Sequence, residues 1–154
     1  MTLAHGMPEI RFSKAGPFSK EGVCPVEKML TFKKTAISGT SNDDFFVAPA
    51  GVFITQAFIR ADVALDGTAV VTLGTDGNPD ALIDSTDFDA TTINNSASNL
   101  NSTTAVGAIG LYLAAADTLR LAITGSPTVG ALSGYIKYVE MEAIEAGGVH
   151  FDLS

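Results

Sequence analysis

Five oxygen-bearing side chains stand close together at Asp76, Asn78, Asp80, Asp84 and Asp87. Counted from Asp76 they fall at positions 1, 3, 5, 9 and 12, the spacing of an EF-hand calcium loop. Calcium takes about six to eight hard oxygen ligands, and such a run supplies most of them. The pattern is broken, however. Position 6 is Ala81 where glycine makes the sharp turn, Pro79 intrudes, and no helices are predicted on either side. The stretch Gly74–Asp80, GTDGNPD, also reads as plain turn chemistry, because Asp, Asn, Gly and Pro each favour bends for their own reasons. The sequence therefore predicts no metal site, with this set as its one calcium candidate.

Nucleophilic and acid–base chemistry finds less material. Cys24 has no CxxC partner and no neighbouring histidine, which leaves neither a zinc site nor an activated thiolate. His5 and His150 lie near opposite ends of the sequence. No GxSxG elbow, SxxK, phosphate-binding GxxxxGKS/T or dinucleotide-binding GxGxxG occurs. Asp87 and Asp89 are the one pair resembling glycosidase carboxylates, yet they sit in a polar stretch where such groups are ordinarily solvated. Sugar stacking would rest on Tyr112, Tyr135 and Tyr138, since tryptophan is absent. The expectation is a chain that is not an enzyme and takes no cofactor and no small-molecule substrate.

The 154 residues are about one domain's worth of polypeptide, with 46% hydrophobic and 17% charged residues. That balance excludes a disordered chain, which needs low hydrophobicity and high charge. A single cysteine excludes an internal disulfide. No apolar run approaches the ~20 residues of a membrane-spanning helix, and the opening MTLAHGMPEIRF does not read as a secretory signal. The net charge of −8 is unevenly placed. Residues 1–34 hold six bases against three acids, whereas residues 35–154 hold three bases against fourteen acids, a net −11. So acidic a body repels phosphate backbones, which argues against nucleic acid and anionic membranes as partners.

Residues 1–26 carry Pro8, Pro17 and Pro25 with three glycines and no sustained period, and read as an extended arm. Residues 27–154 read as one domain of strands. The first runs Met29–Ile37 and ends at the turn SGTSNDD. In Val52–Leu65 the odd positions Phe53, Ala57, Ile59, Ala61, Val63 and Leu65 are apolar, while Gln56, Arg60 and Asp62 are polar and Phe58 is an exception. Period two over that length predicts a long strand with one buried face, or two joined by a bend. Asp66-Gly67 then marks a hairpin turn into Thr68–Leu73. Residues 84–104 contain 16 Ser, Thr, Asn or Asp among 21 and predict a long polar loop, pinned by Phe88 and Ile93. Further strands are expected at Val106–Leu113, Asp117–Thr124 and Leu132–Met141, with a glycine-containing tail after them. Some seven strands without an amphipathic helix predict an all-β fold: an antiparallel, jelly-roll-like β-sandwich with an N-terminal arm.

Three stretches carry a resemblance: VTLGTDGNPDAL (Val71–Leu82), YLAAADTLRLAITG (Tyr112–Gly125) and GYIKYVEM (Gly134–Met141). They resemble head decoration, or cement, proteins of tailed bacteriophages, built on a β-sandwich or jelly roll. The likeness covers a little over half of the chain and brings no catalytic residue with it. It implies a virion structural protein, assembled in the host cytoplasm onto the outer surface of the capsid. Its implied partners are the major capsid protein and other copies of itself, as a homotrimer. Tail or fibre components share related sandwiches, and a glycan-binding sandwich is the alternative of another class. The mean hydropathy of +0.28 fits apolar surface that assembly would cover. Within the arm, Arg11, Lys14 and Lys20 are the expected charge contacts of docking, and Phe12, Phe18 and Val23 its apolar anchors.

Overall fold

The computed structural model describes residues 26–102, 105 and 107–140. Eight strands lie among them: β1 Lys28–Lys34, β2 Ser41–Ala48, β3 Val52–Val63, β4 Val70–Thr75, β5 Ser96–Ser98, β6 Leu111–Leu113, β7 Asp117–Thr124 and β8 Ala131–Glu140. All pairings are antiparallel and form two sheets. Sheet A runs β1-β8-β3, with β5 and β6 sharing the far edge of β3, and sheet B runs β2-β7-β4. An isolated bridge from Leu73 to Ile83 adds one rung beyond β4. The pairs β1·β8, β2·β7 and β3·β6 are nested, as in a long hairpin rolled over on itself. That is the jelly-roll arrangement of an all-β sandwich.

Strand alternation builds the core. Leu119, Leu121 and Ile123 of β7 face Val71 and Leu73 of β4 within sheet B and are buried against sheet A, as the sequence predicts. The long strand β3 behaves differently from the simple odd-position reading. Val52 and Ile54 are buried, then Ala57, Ile59 and Ala61, because the register shifts between Ile54 and Gln56. An extra residue at Thr55 flips the face, as a β-bulge must. A second shift between Ala61 and Val63 leaves Val63 exposed, and Phe53 is half-buried on the outer side.

Asp66-Gly67 does not close a hairpin. β3 and β4 lie in different sheets, and the turn carries the chain across the end of the sandwich. Asp66 holds that crossing to the β7–β8 connection, accepting from Thr128 N (2.6 Å), Thr128 Oγ1 (2.5 Å) and Val129 N (3.3 Å). The segment SGTSNDD is only in part a turn, since Ser41–Asp44 already belong to β2. Its acids are matched there, Asp43 by Lys34 and Asp44 by Arg120, so the strand tolerates them. The expected strand at 106–113 shrinks to Leu111–Leu113 behind a turn at Gly107–Ile109. Gly110 there has φ 114°, and a Cβ would strike the Phe53 ring, so only glycine fits.

The polar stretch after Asp84 is more built than a surface loop. Phe88 is buried as expected, but Ile93 is 57% exposed and pins nothing. Ala90, Ala97, Asn99 and Ser102 are buried as well, and Ser96–Ser98 pair with β3 as β5. β6 covers Val52–Ile54 of β3 and β5 covers Phe58–Arg60, which leaves a gap between them. The fully buried Asn99 fills it: Oδ1 accepts from Ala57 N (2.7 Å) and Nδ2 donates to Gly107 O (2.8 Å). One side-chain amide thus stands in for a missing rung of the ladder. Asn99→Ala leaves a buried N–H and a buried carbonyl without these partners, so it should destabilise the fold by about 2–4 kcal/mol in urea unfolding. A change below about 0.5 kcal/mol would show that the amide is dispensable.

Candidate interaction surface

The register places the outward residues of sheet A in rows. Met29, Lys137 and Gln56 form one, Thr31, Tyr135, Phe58 and Ser98 the next, and Lys33, Ser133, Arg60 and Ser96 a third. Val139, Phe53 and Tyr112 form a row at the other end. Phe58 and Tyr135 stack across the strands, with ring centroids 5.3 Å apart and planes 17° apart. Lys137 Nζ lies 6.0 Å from the Tyr135 ring centre and 3.8 Å from Glu27 Oε2. Glu27 in turn accepts from Thr55 Oγ1 (2.7 Å). Met29 and Tyr112 are exposed, and Phe53, Phe58, Tyr135 and Val139 half-buried, so an apolar, mainly aromatic band crosses this face.

The outer face of sheet B is unlike it. Asn42, Asp44, Thr72, Thr118, Arg120 and Thr124 dominate there, with Val47 and Val70 the exposed apolar exceptions. Arg120 sits between two carboxylates, donating to Asp44 from Nε (2.7 Å) and Nη2 (3.2 Å) and pairing with Asp76 through Nη1. The guanidinium hydrogen bonds hold the Asp44 carboxyl below the usual carboxylate range and raise Arg120 in return. One outer face is therefore built for water, and the other carries exposed apolar surface of the kind that marks an interface.

The five calcium-candidate residues are employed separately. Asp76 serves Arg120, and the backbone carbonyl of Asn78 accepts from Thr75 N (2.8 Å). Asp80 is exposed. Asp84 caps its own turn, accepting from Thr86 N (2.8 Å) and Thr86 Oγ1 (2.9 Å), and Asp87 accepts from Ser102 Oγ. Asp89 caps its own turn in the same way as Asp84, accepting from Thr91 N (2.9 Å), Thr91 Oγ1 (2.6 Å) and Thr92 Oγ1 (2.7 Å), whereas Asp87 ties its turn to Ser102. Among the described residues no three or more His, Cys, Asp or Glu gather as a metal site. The arm residues Arg11, Phe12, Lys14, Phe18, Lys20 and Val23 lie outside the described residues, as do Cys24, His5 and His150. Sequence reasoning passed over the aromatic band. Its signal was Phe58, the apolar residue standing in the polar phase of β3.

No protein-family model matches the chain, and no curated protein matches it in sequence. Two solved structures are similar to it to different degrees. A chain of the cyanophage Pam1 capsid asymmetric unit superposes with a TM-score of 0.51 at 14% identity, covering 90% of this chain and 99% of that one. A chain from the acid-stable capsid of Helicobacter pylori bacteriophage KHP30 reaches a TM-score of 0.48 at 9% identity over 74% of this chain and 87% of its own. At these identities the Pam1 likeness establishes the fold.

Carboxylates that cap turns should make the fold acid-sensitive. Asp66 is held below its ordinary range, first by the Thr128 hydroxyl and then by the Thr128 amide. Asp44, Asp62, Asp84 and Asp89 are lowered as well, each chiefly through hydrogen bonds. A depressed folded-state value contributes stability above the unfolded value of about 3.9, and that contribution is lost as pH falls through the folded value. Stability in urea should therefore be level near neutrality and decline below about pH 4. Asp66→Asn should cost more stability at pH 7 than at acid pH, where the carboxylate is protonated in both states. An equal cost at both pH values would contradict this role.

Proposed function

We propose that this protein is a structural component of a phage virion, a decoration protein that binds between major capsid subunits on the outside of the head and stabilises it. The observation that carries the reading is the jelly roll shared with a chain of the Pam1 capsid asymmetric unit over nearly the whole of both chains. The side-chain chemistry agrees with it. Most of the described carboxylates are taken up by turns and ion pairs, and an apolar band stands out on the surface of sheet A.

The mechanism is area and multiplicity. The aromatic band of sheet A is the face that assembly covers, and the polar face of sheet B is the one turned to water. The arm makes the capsid contact, with Arg11, Lys14 and Lys20 on acidic groups and Phe12, Phe18 and Val23 as anchors. An arm costs ordering entropy when it binds, yet it wraps surfaces that a rigid domain cannot reach. Copies related by a symmetry axis turn weak single contacts into strong collective ones.

Two outcomes follow. Light scattering of the isolated protein at micromolar concentration should report a trimer, and a monomer throughout would count against the homotrimer. Removing residues 1–26 should leave a folded sandwich, with its thermal midpoint little changed, that no longer co-sediments with undecorated capsids. Retained binding of the truncated protein would move the docking surface from the arm to the sandwich.

A further inference from the structure

The sandwich is open along one side. β1 pairs only with β8, so among the described residues one row of its backbone N–H and C=O groups has no strand beside it. Behind that row Leu30 and Phe32 are only partly buried, together with Phe45 and Phe46 of β2, and the Phe32 and Phe45 rings meet at 5.2 Å. The strand also carries Lys33, beside Lys28 and Lys34, which pair with Glu140 and Asp43. Lysines on an edge repel a second identical edge, but they admit a strand of opposite charge.

The sequence contains such a strand. In Val149–Ser154, VHFDLS, the apolar Val149, Phe151 and Leu153 alternate with His150, Asp152 and Ser154, and Gly147-Gly148 precede them. Period two is the pattern of a strand with one apolar face, and paired glycines permit whatever turn leads into it. The segment after Glu140 contains Glu142, Glu145 and Asp152 and no Lys or Arg. We propose that residues 149–154 add as a strand to the free edge of β1 in a second copy of this chain. Val149, Phe151 and Leu153 then cover Leu30 and Phe32, and the alternation puts Asp152 on the face that carries Lys33. A second copy is favoured over the same chain by direction. β8 ends at Glu140 beside Lys28, where the two side chains pair at 2.6 Å. A tail turning back from there along its own β1 would run parallel to it, whereas one from another copy can enter antiparallel, the more stable pairing. The link uses an edge distinct from the aromatic band and holds whether or not the chain sits on a capsid.

Hydrogen exchange of the β1 amides tests it, comparing the full chain with a chain ended at residue 146 and with full-length Phe151→Asp. In the full chain at high concentration, exchange over residues 28–34 should be slower by about tenfold or more, with the protection lost on dilution, on truncation and in Phe151→Asp. Exchange in β3 should not change, which separates the effect from a general loss of stability. Protection that survives truncation overturns the proposal. Protection that survives dilution assigns the edge to the chain's own tail and overturns the second copy.

Discussion

β3 runs through sheet A between β8 and the short strands β5 and β6, and its apolar residues change sides partway along. Val52 and Ile54 point into the core, and after the extra residue at Thr55 so do Ala57, Ile59 and Ala61. The bulge lies in the ladder with β8, and on the opposite edge of β3 the pairing stops where β6 ends and resumes only at β5. A buried N–H at that point needs an acceptor, since an unpaired one costs as much as a lost hydrogen bond. Asn99 supplies it and at the same time takes up Gly107 O. The polar stretch from Asp84 to Asn101, the turn before β6 and the centre of sheet A are thereby tied at one amide. The closed side of the sandwich depends on that junction.

What the sequence made legible follows from where one face is buried and the other wet. β7 was readable because Leu119, Leu121 and Ile123 alternate with residues of the outer face without interruption. β3 was readable as a strand but not in phase, since a bulge leaves no mark in composition. β2 was hidden because Asp43 and Asp44 look like turn residues until Lys34 and Arg120, distant in the chain, are seen beside them. Asp66-Gly67 has the chemistry of a hairpin, yet whether its strands pair or pack face to face is decided by the fold and not by the turn. The carboxylates with calcium-like spacing do not converge for a related reason: spacing along the chain does not fix where each goes, and Asp76 meets Arg120, Asp84 caps its own turn and Asp87 meets Ser102. The aromatic band was announced by one residue alone, Phe58, because the cross-strand neighbours that complete it come from β6 and β8.

Several of the acidic side chains serve the fold itself. Asp66, Asp84 and Asp89 close connections, and Arg120 draws Asp44 and Asp76 together across sheet B. Stability is thus spread over many exposed caps, each modest because water competes for it. Against this polar background the unmatched features are apolar: the band of Phe53, Phe58, Tyr112 and Tyr135, and the partly covered rings at the β1–β2 edge. Both are surfaces that would gain by being covered, as the proposed symmetric assembly would do.

A cryo-EM map of phage particles carrying this protein tests the proposed role most directly. The account predicts the jelly roll on the outside of the head, with Phe53, Phe58, Tyr112 and Tyr135 buried against a neighbouring protein and the sheet B face with Arg120 turned to solvent. Density confined to the tail, or a head-bound sandwich with the aromatic band facing water, would contradict it.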